Sequence, residues 1–362
     1  MPDPTAPTVA VPNLSLLKTL SEAPGVPGRE ERVRAIIERE VAGLFDDVRT
    51  DAMGNLLATK RATGPAVAGG PPAKRVTIAC HTDEIGFYVR HVDDRGFLRV
   101  YNVGGFDAKN LCSRRVLVQS SGGGDLVGLL NPTGRPVHIA KDEDKKKVPE
   151  VGDFFVDLCL PADEVRRKVR IGDPVTLAQT FDQVGHCVTG KCLDNRVAAY
   201  VAIEAVRQAK AIRYDVTLAA TVQEEVGCRG AGPAAFATDP DLAIAIDTTL
   251  CVDLPGVPED ERVTKQGDGV ALTIADSLTI SDRGMIDDFE RVAKLRGIPC
   301  QLSILPRGGT DAGPMQRAGA GRRTMTLSVP TRYVHTTTEC IHLHDLKSAI
   351  DLLAAWMEAG EA

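Results

Sequence analysis

The tightest constraint on the fold is a change of rhythm along the chain. From Gly190 onward, apolar runs alternate with helical patterns. "LDNRVAAYVAIEAVRQAK" predicts a helix, "DVTLAATVQ" a strand, "AGPAAFAT" a helix start and "LAIAID" a strand. "SDRGMIDDFERVAKLRG" then predicts a helix, "CQLSIL" and "TMTLSV" strands, and "HDLKSAIDLLAAWMEAG" a closing helix. The first part of the chain has the same character. "SLLKTLSEA" and "REERVRAIIEREVAGL" carry helical spacing, and "VRTDAMGNLLATK" reads as paired strands around Met53-Gly54-Asn55. "RVTIAC" is a β-branched run of the kind buried in a parallel sheet. Such alternation argues for an α/β fold, an open and mostly parallel sheet covered by helices on both faces. Between Phe87 and His186 the rhythm stops. Short strand-like runs, from "FYVRHV" to "DPVTLAQTF", alternate with turn clusters such as "DDRG" and "SGGGD", and "PADEVRRK" is the one helical pattern. That spacing predicts a small β-barrel or sandwich. The expected organisation is a discontinuous α/β domain, residues 1–86 and 187–362, interrupted by an inserted β domain at 87–186.

Composition narrows the function classes. A 362-residue chain with 43% hydrophobic residues can bury a large core. Its net charge of -6, with both signs interspersed, gives no nucleic-acid footprint. The nine cysteines are odd in number and form no C-x-x-C pair, which predicts reduced thiols in the cytoplasm. No apolar run reaches the ~18 residues of a membrane span, and "MPDPTAPTVAVPN" lacks the regions of a signal peptide. The opening dozen residues are expected to form a Pro-rich arm, "RATGPAVAGGPPAK" an exposed loop and "KDEDKKK" a solvated loop.

In open α/β sheets, chemistry collects beyond the carboxyl ends of the strands. His81 follows "VTIAC", with Asp83 two residues on; Glu224 and Glu225 follow "TLAATVQ"; Asp247 follows "LAIAI". His335 falls in the loop after "TMTLSV", and Asp194 opens the helix in "GKCLDNRVAAY". Two histidines with this many carboxylates have the composition of a metal site, with too many ligands for one tetrahedral ion. Adjacent residues leaving a strand point in different directions, so Glu224 and Glu225 should differ in role, one binding metal and one free as a base. Two cations would compensate the crowded acids, lower the pKa of water and polarise a carbonyl. Taken singly, Asp194 reads as a helix N-cap, Asp247 as an Asx-turn residue and Glu224-Glu225 as a salt-bridged pair near Arg229. His81-x-Asp83 is more specific, because alternate residues share a face and a carboxylate can orient the imidazole. "RGGTDAG", with Gly309, Thr310 and Asp311, reads as a tight turn or as a wall of the substrate cleft. His91, His138, His186, His342 and His344 are taken as structural, and neither Ser303 nor Cys228 has triad spacing around it.

The motifs "CHTDEIGFYV", "GKCLDNRVAAY", "TVQEEVGCRGA", "AIDTT", "GGTDAG" and "RYVHT" stand in the order of the glutamyl/tetrahedral aminopeptidases, which the chain resembles over nearly its whole length. The resemblance implies a dinuclear, cytoplasmic metallopeptidase whose α/β domain is interrupted by a PDZ-like β domain used for dimerisation. Dimers would build further, up to a tetrahedral dodecamer. It also implies that Asp194 bridges two ions, zinc or cobalt. Glu225 and His335 would complete one ion's ligands, and His81 and Asp247 the other's. Glu224 would be the general base and Asp83 the support of His81. The implied reaction removes N-terminal residues from short peptides. A deacylase acting on N-acyl amino acids is the rival enzyme, and an inactive peptide-binding or assembly scaffold the rival of another class. The segment "KQGDGVALTIAD" departs from the family pattern by carrying Asp268 in place of Gly-Pro.

Overall fold

The computed structural model describes residues 9–64 and 72–360. Residues 1–8 of the expected arm and 65–71 of the Gly/Pro loop lie outside the described residues. The chain opens with α1 (Leu14–Glu22) and α2 (Glu31–Val41), followed by the antiparallel pair β1 (Asp47–Thr50) and β2 (Leu56–Lys60), and by β3 (Arg75–His81). Next come β4 (Gly86–Val92), β5 (Leu98–Val103), β6 (Arg114–Gln119), β7 (Asp125–Pro132), α3 (Asp142–Lys146), β8 (Phe154–Asp157), α4 (Ala162–Lys168) and β9 (Pro174–Leu177). These six strands close in the order β4-β5-β8-β7-β6-β9, so the sequence alternatives of barrel or sandwich resolve to a barrel. Its interior is filled by Phe87, Val116, Leu130, Phe154, Val156 and Val175 among others, all essentially inaccessible.

After β10 (Asp182–Val184) and β11 (Cys187–Gly190) the α/β pattern resumes with α5 (Leu193–Gln208), β12 (Asp215–Thr221), α6 (Ala231–Thr238), β13 (Leu242–Leu250) and β14 (Val270–Ala275). It continues through α7 (Arg283–Arg296), β15 (Cys300–Ile304), α8 (Ala312–Gln316), β16 (Arg323–Arg332), β17 (Glu339–His342) and α9 (Leu343–Ala359). The large sheet runs β1-β2-β12-β3-β13-β16-β17-β11-β10, with β14 beside β16 and β15 beside β14. At its centre β12, β3, β13 and β16 are mutually parallel. The helix-covered α/β sheet and the small β-barrel expected from the sequence are both present; the sheet is parallel at its centre with antiparallel pairs flanking it, so it is mixed.

The two faces of the central strands differ in side-chain size. Ile78, Leu218, Ile244, Ile246, Leu327 and Val329 enter the large core with α1, α2, α5, α7 and α9. The alternate positions Ala79, Ala243 and Ala245 meet Ala231 and Ala235 of α6 and Ala312 and Met315 of α8. Strand alternation thus builds one face for bulky packing and one for close approach of short helices.

The segment 141–147 departs from expectation. Asp142–Lys146 forms one short helix on the exterior rather than an irregular loop. Its acidic start and basic end match the helix dipole, which offsets the poor intrinsic stability of so short a helix. No helix among the described residues is long and apolar enough to cross a membrane.

Candidate metal centre

Because β3, β12, β13 and β16 run in parallel, their carboxyl ends fall along one edge, and the residues expected at the site meet there. His81 ends β3, Asp247 lies near the end of β13, Glu224 and Glu225 follow β12, and His335 follows β16. Asp194 sits at the start of α5, where it and Asn195 have non-helical torsions before the regular helix begins. Asp194 makes no cap of its own helix. Its Oδ1 lies 3.3 Å from His81 Nε2, and its Oδ2 lies 3.5 Å from His335 Nε2. Asp247 Oδ1 is 3.6 Å from the same His81 nitrogen, and Glu225 Oε1 is 3.3 Å from His335 Nε2. Glu224 Oε2 stands 3.8 Å from His81 Nε2. The donors group as His81/Asp194/Asp247, His81/Glu224/Glu225 and Asp194/Glu225/His335, with Asp194 joining the first group to the last.

The second nitrogen of each histidine is occupied differently. His335 Nδ1 is 2.9 Å from the Gly105 carbonyl, in the segment that follows β5 of the barrel. A carbonyl accepts only, so Nδ1 donates to it and Nε2 is the nitrogen turned toward Asp194 and Glu225. His81 Nδ1 lies 3.5 Å from Asp83 Oδ1 and has no hydrogen-bond partner. Asp83 instead accepts from the backbone N–H groups of Glu224 and Glu225, at 3.0 Å each, one on each oxygen. It is a clamp on both glutamates as much as a neighbour of His81. The alternative reading of a salt bridge is not met: among the described residues Arg229 pairs with neither Glu224 nor Glu225.

Three buried acceptors that sequence patterns did not single out extend this scaffold. Val222 N donates to Asn55 Oδ1 at 3.0 Å and Gln223 N to Glu30 Oε1 at 3.1 Å. With the two bonds to Asp83, four successive N–H groups, Val222 to Glu225, end on side chains from the first quarter of the chain. Glu339 repeats the arrangement on the other side, accepting from Asp194 N on Oε2 and from His335 N on Oε1, at 2.9 Å each. The one signal for Glu339 in the sequence is its place four residues after His335. Asn55 is marked in the sequence as a turn residue and not as an acceptor, and no pattern marks Glu30.

The electrostatics are those of a site short of positive charge. Burial opposes protonation of His335, yet Glu225 and Asp194 outweigh it and push the imidazole up to about 12. Burial likewise opposes ionisation of Asp194, and both imidazoles outweigh it, holding its carboxyl below the ordinary range. Asp247 is pushed up to about 6 by burial, against the opposing pull of His81. Glu224 is driven well above the carboxylate range by burial, eased by His81 and worsened by Asp247 and Asp311. Crowded, desolvated acids of this kind call for cations. The donors, two imidazole Nε2 atoms and four carboxylates, suit divalent zinc or cobalt, and the buried Asp194 Oδ1 has no hydrogen-bond partner. The residues present fit metal binding.

A cleft of about 430 Å³ opens on this centre, walled by Thr248, Leu250, Leu278, Leu305, Arg307 and Val334. Gly309 and Thr310 line it, whereas Asp311 lies behind the wall, bonded to Thr221 Oγ1. Asp268 points elsewhere, paired with Lys265 Nζ at 3.1 Å in an exposed turn. His342, taken as structural, caps α9 by accepting from His344 N.

Comparison with known proteins agrees with this geometry. The M42 glutamyl aminopeptidase family matches residues 62–352. The lysyl aminopeptidase of Pyrococcus furiosus is 32% identical over 352 residues, covering 95% of this chain and 96% of that protein. An aminopeptidase from the archaeon Desulfurococcus kamchatkensis superposes with a TM-score of 0.89 at 32% identity, covering 96% of this chain and 94% of that one. The TET1 peptidase of Pyrococcus horikoshii, described as assembling into a tetrahedron or a large octahedral shell, superposes at 0.82 with 31% identity, covering 94% and 98%. With its fold, its cluster of metal-binding side chains and its motifs in agreement, the chain belongs to the M42 glutamyl aminopeptidases, a family of peptide hydrolases.

Proposed function

We propose that this protein is a dinuclear metal-dependent aminopeptidase that removes N-terminal residues from short peptides. The observation that carries the proposal is Asp194, whose two oxygens face His81 and His335 respectively. Asp194 would hold both ions, with His81 and Asp247 completing one set of ligands and Glu225 and His335 the other. Zinc or cobalt bound there supplies the Lewis acidity that polarises a peptide carbonyl and acidifies water. Glu224 takes the proton from the attacking water and hands it to the leaving amine. Its buried, acid-crowded setting raises its affinity for that proton. Asp83 fixes the backbone of Glu224 and Glu225, and Glu339 that of Asp194 and His335. Gly309 and Thr310 form part of the substrate wall. The carboxylates would also attract the substrate's free α-amino group.

The same proposal divides the chain into a discontinuous peptidase domain and an inserted barrel domain through which copies dimerise, the second boundary expected at 186/187 moving to about residue 181 because β10 pairs within the large sheet. The structural neighbour described as a tetrahedral or octahedral assembly supports a homo-oligomer beyond the dimer. A cytoplasmic setting fits the nine thiols, none of which is in a disulfide.

The test is hydrolysis of free-amine and N-acylated peptides with zinc, cobalt and manganese, by wild type and Glu224→Gln. Cleavage of free-amine peptides alone, lost ~100-fold or more in the variant with metal retained, is expected. Turnover confined to N-acylated substrates would instead favour the deacylase, and near-normal turnover by Glu224→Gln would remove Glu224 from its role.

A further inference from the structure

Beside the donor groups around His81 and His335, the structure gathers one more. Glu224, Cys228 and Asp311 each bring one ligand atom within 4.8 Å of the others. Glu224 stands between the two regions. Its Oε2 faces His81, while Cys228 Sγ lies 3.1 Å from its Oε1. Asp311 is 2% exposed; one oxygen bonds Thr221, and the buried Oδ1 has no hydrogen-bond partner at all. An unpaired carboxylate oxygen in such a place costs free energy that a ligand would recover. Cys228 and Glu224 both line the substrate cleft, so the position is reachable from solvent.

We propose that Glu224, Cys228 and Asp311 form a third, inhibitory cation site selective for a thiophilic divalent ion such as Zn²⁺ or Cd²⁺. As the ion enters, the S–metal bond forms and the thiol proton leaves to buffer. Thiolate ligation favours zinc and cadmium over magnesium or manganese, which prefer oxygen. The ion occupies the lone pairs of Glu224 and so withdraws the base from water. The inhibitory half of this inference rests on the role proposed for Glu224; the binding half does not.

The experiment is Cd²⁺ titration of metal-loaded wild type, Cys228→Ala and Cys228→Ser, following bound equivalents by dialysis, the ultraviolet thiolate-to-cadmium charge-transfer band, and hydrolysis. Wild type should take one equivalent more than either variant and show the band. Its activity, relative to its own starting rate, should fall with that equivalent. Cys228→Ala should weaken the third ion about tenfold or more. Equal stoichiometry and no charge-transfer band in wild type would overturn the site. Binding with the band but no loss of activity would keep the site and overturn its inhibitory role. A wild type that binds the extra ion yet hydrolyses nothing beforehand would count against the proposed function, not against the site.

Discussion

Asp83 and Glu339 share one device at the residue scale. Each is a buried carboxylate whose two oxygens accept two backbone N–H groups from residues proposed to bind metal or move protons. A side-chain ligand is only as well placed as the backbone that carries it, so these clamps set the centre before any ion arrives. Asp83→Ala should lower metal affinity and kcat by about 10- to 100-fold, and calorimetric metal titration with peptide hydrolysis measures both. Glu339→Ala leaves two buried donors unpaired and should cost ~2–4 kcal/mol of stability, measured by urea unfolding. Most candidate ligands were legible in the sequence. They are polar residues placed where apolar strands stop, and parallel strands bring those stops together. Their supports were not legible. Asn55, Glu30 and Glu339 act as acceptors for backbone groups, a task that needs no periodicity and few fixed spacings. For Asp83 the sequence indicated His81 as the partner, while the structure shows its shorter contacts going to Glu224 and Glu225.

At the scale of elements, the order and type of most helices and strands followed from apolar periodicity, because each half-buried element must repeat its own geometry, while β10, β11, β14 and β17 were not marked. The two faces of the central sheet explain a further regularity. Alanines at 79, 243 and 245 leave room for α6 and α8, whose own contacts are alanine and methionine. Ala245→Leu should overpack that layer and cost ~1–3 kcal/mol, read as a lower midpoint of unfolding. The turn at 267–269 is held by Asp345 of α9, which accepts from Gly267 N and Gly269 N at 2.8 Å each. Burial raises the Asp345 carboxyl to about 7, against the lowering effect of those two bonds. An unfolded aspartate titrates near ~3.9, so between about pH 4 and 7 the folded protein holds a proton that the unfolded chain has lost. This contribution to stability is complete below about pH 4 and disappears as the pH rises through 7. Urea unfolding from pH 5 to 7.5 should therefore show a flatter pH dependence in Asp345→Asn than in wild type. The short helix at 142–146 escaped the sequence reading because five charged residues carry no apolar period.

Across the whole molecule, the barrel is more than an appendage. Gly105, beside β5, holds the ring of His335 through its carbonyl, so one proposed ligand of the α/β sheet is oriented by the inserted segment. The barrel region also exposes Val127, Leu129, Val137 and Ile139, each at least 41% accessible. Apolar side chains in that number suit a surface that copies of the chain cover. Val127→Asp with Ile139→Asp should shift the sedimentation coefficient toward a smaller assembly while leaving the circular dichroism unchanged. Assembly could not be read from periodicity or strand ends, since a surface that pairs with another copy obeys the same alternation as one that faces water.

The most direct measurement is metal content against activity in chelator-stripped protein resupplied with zinc or cobalt. The proposed two-ion centre, with Asp194 serving both sets of ligands, predicts peptide hydrolysis that rises to a plateau at two tightly bound equivalents per chain, with the second equivalent lost in Asp194→Ala. Full hydrolysis by the stripped protein, or a plateau at one equivalent unaffected by that substitution, would contradict it.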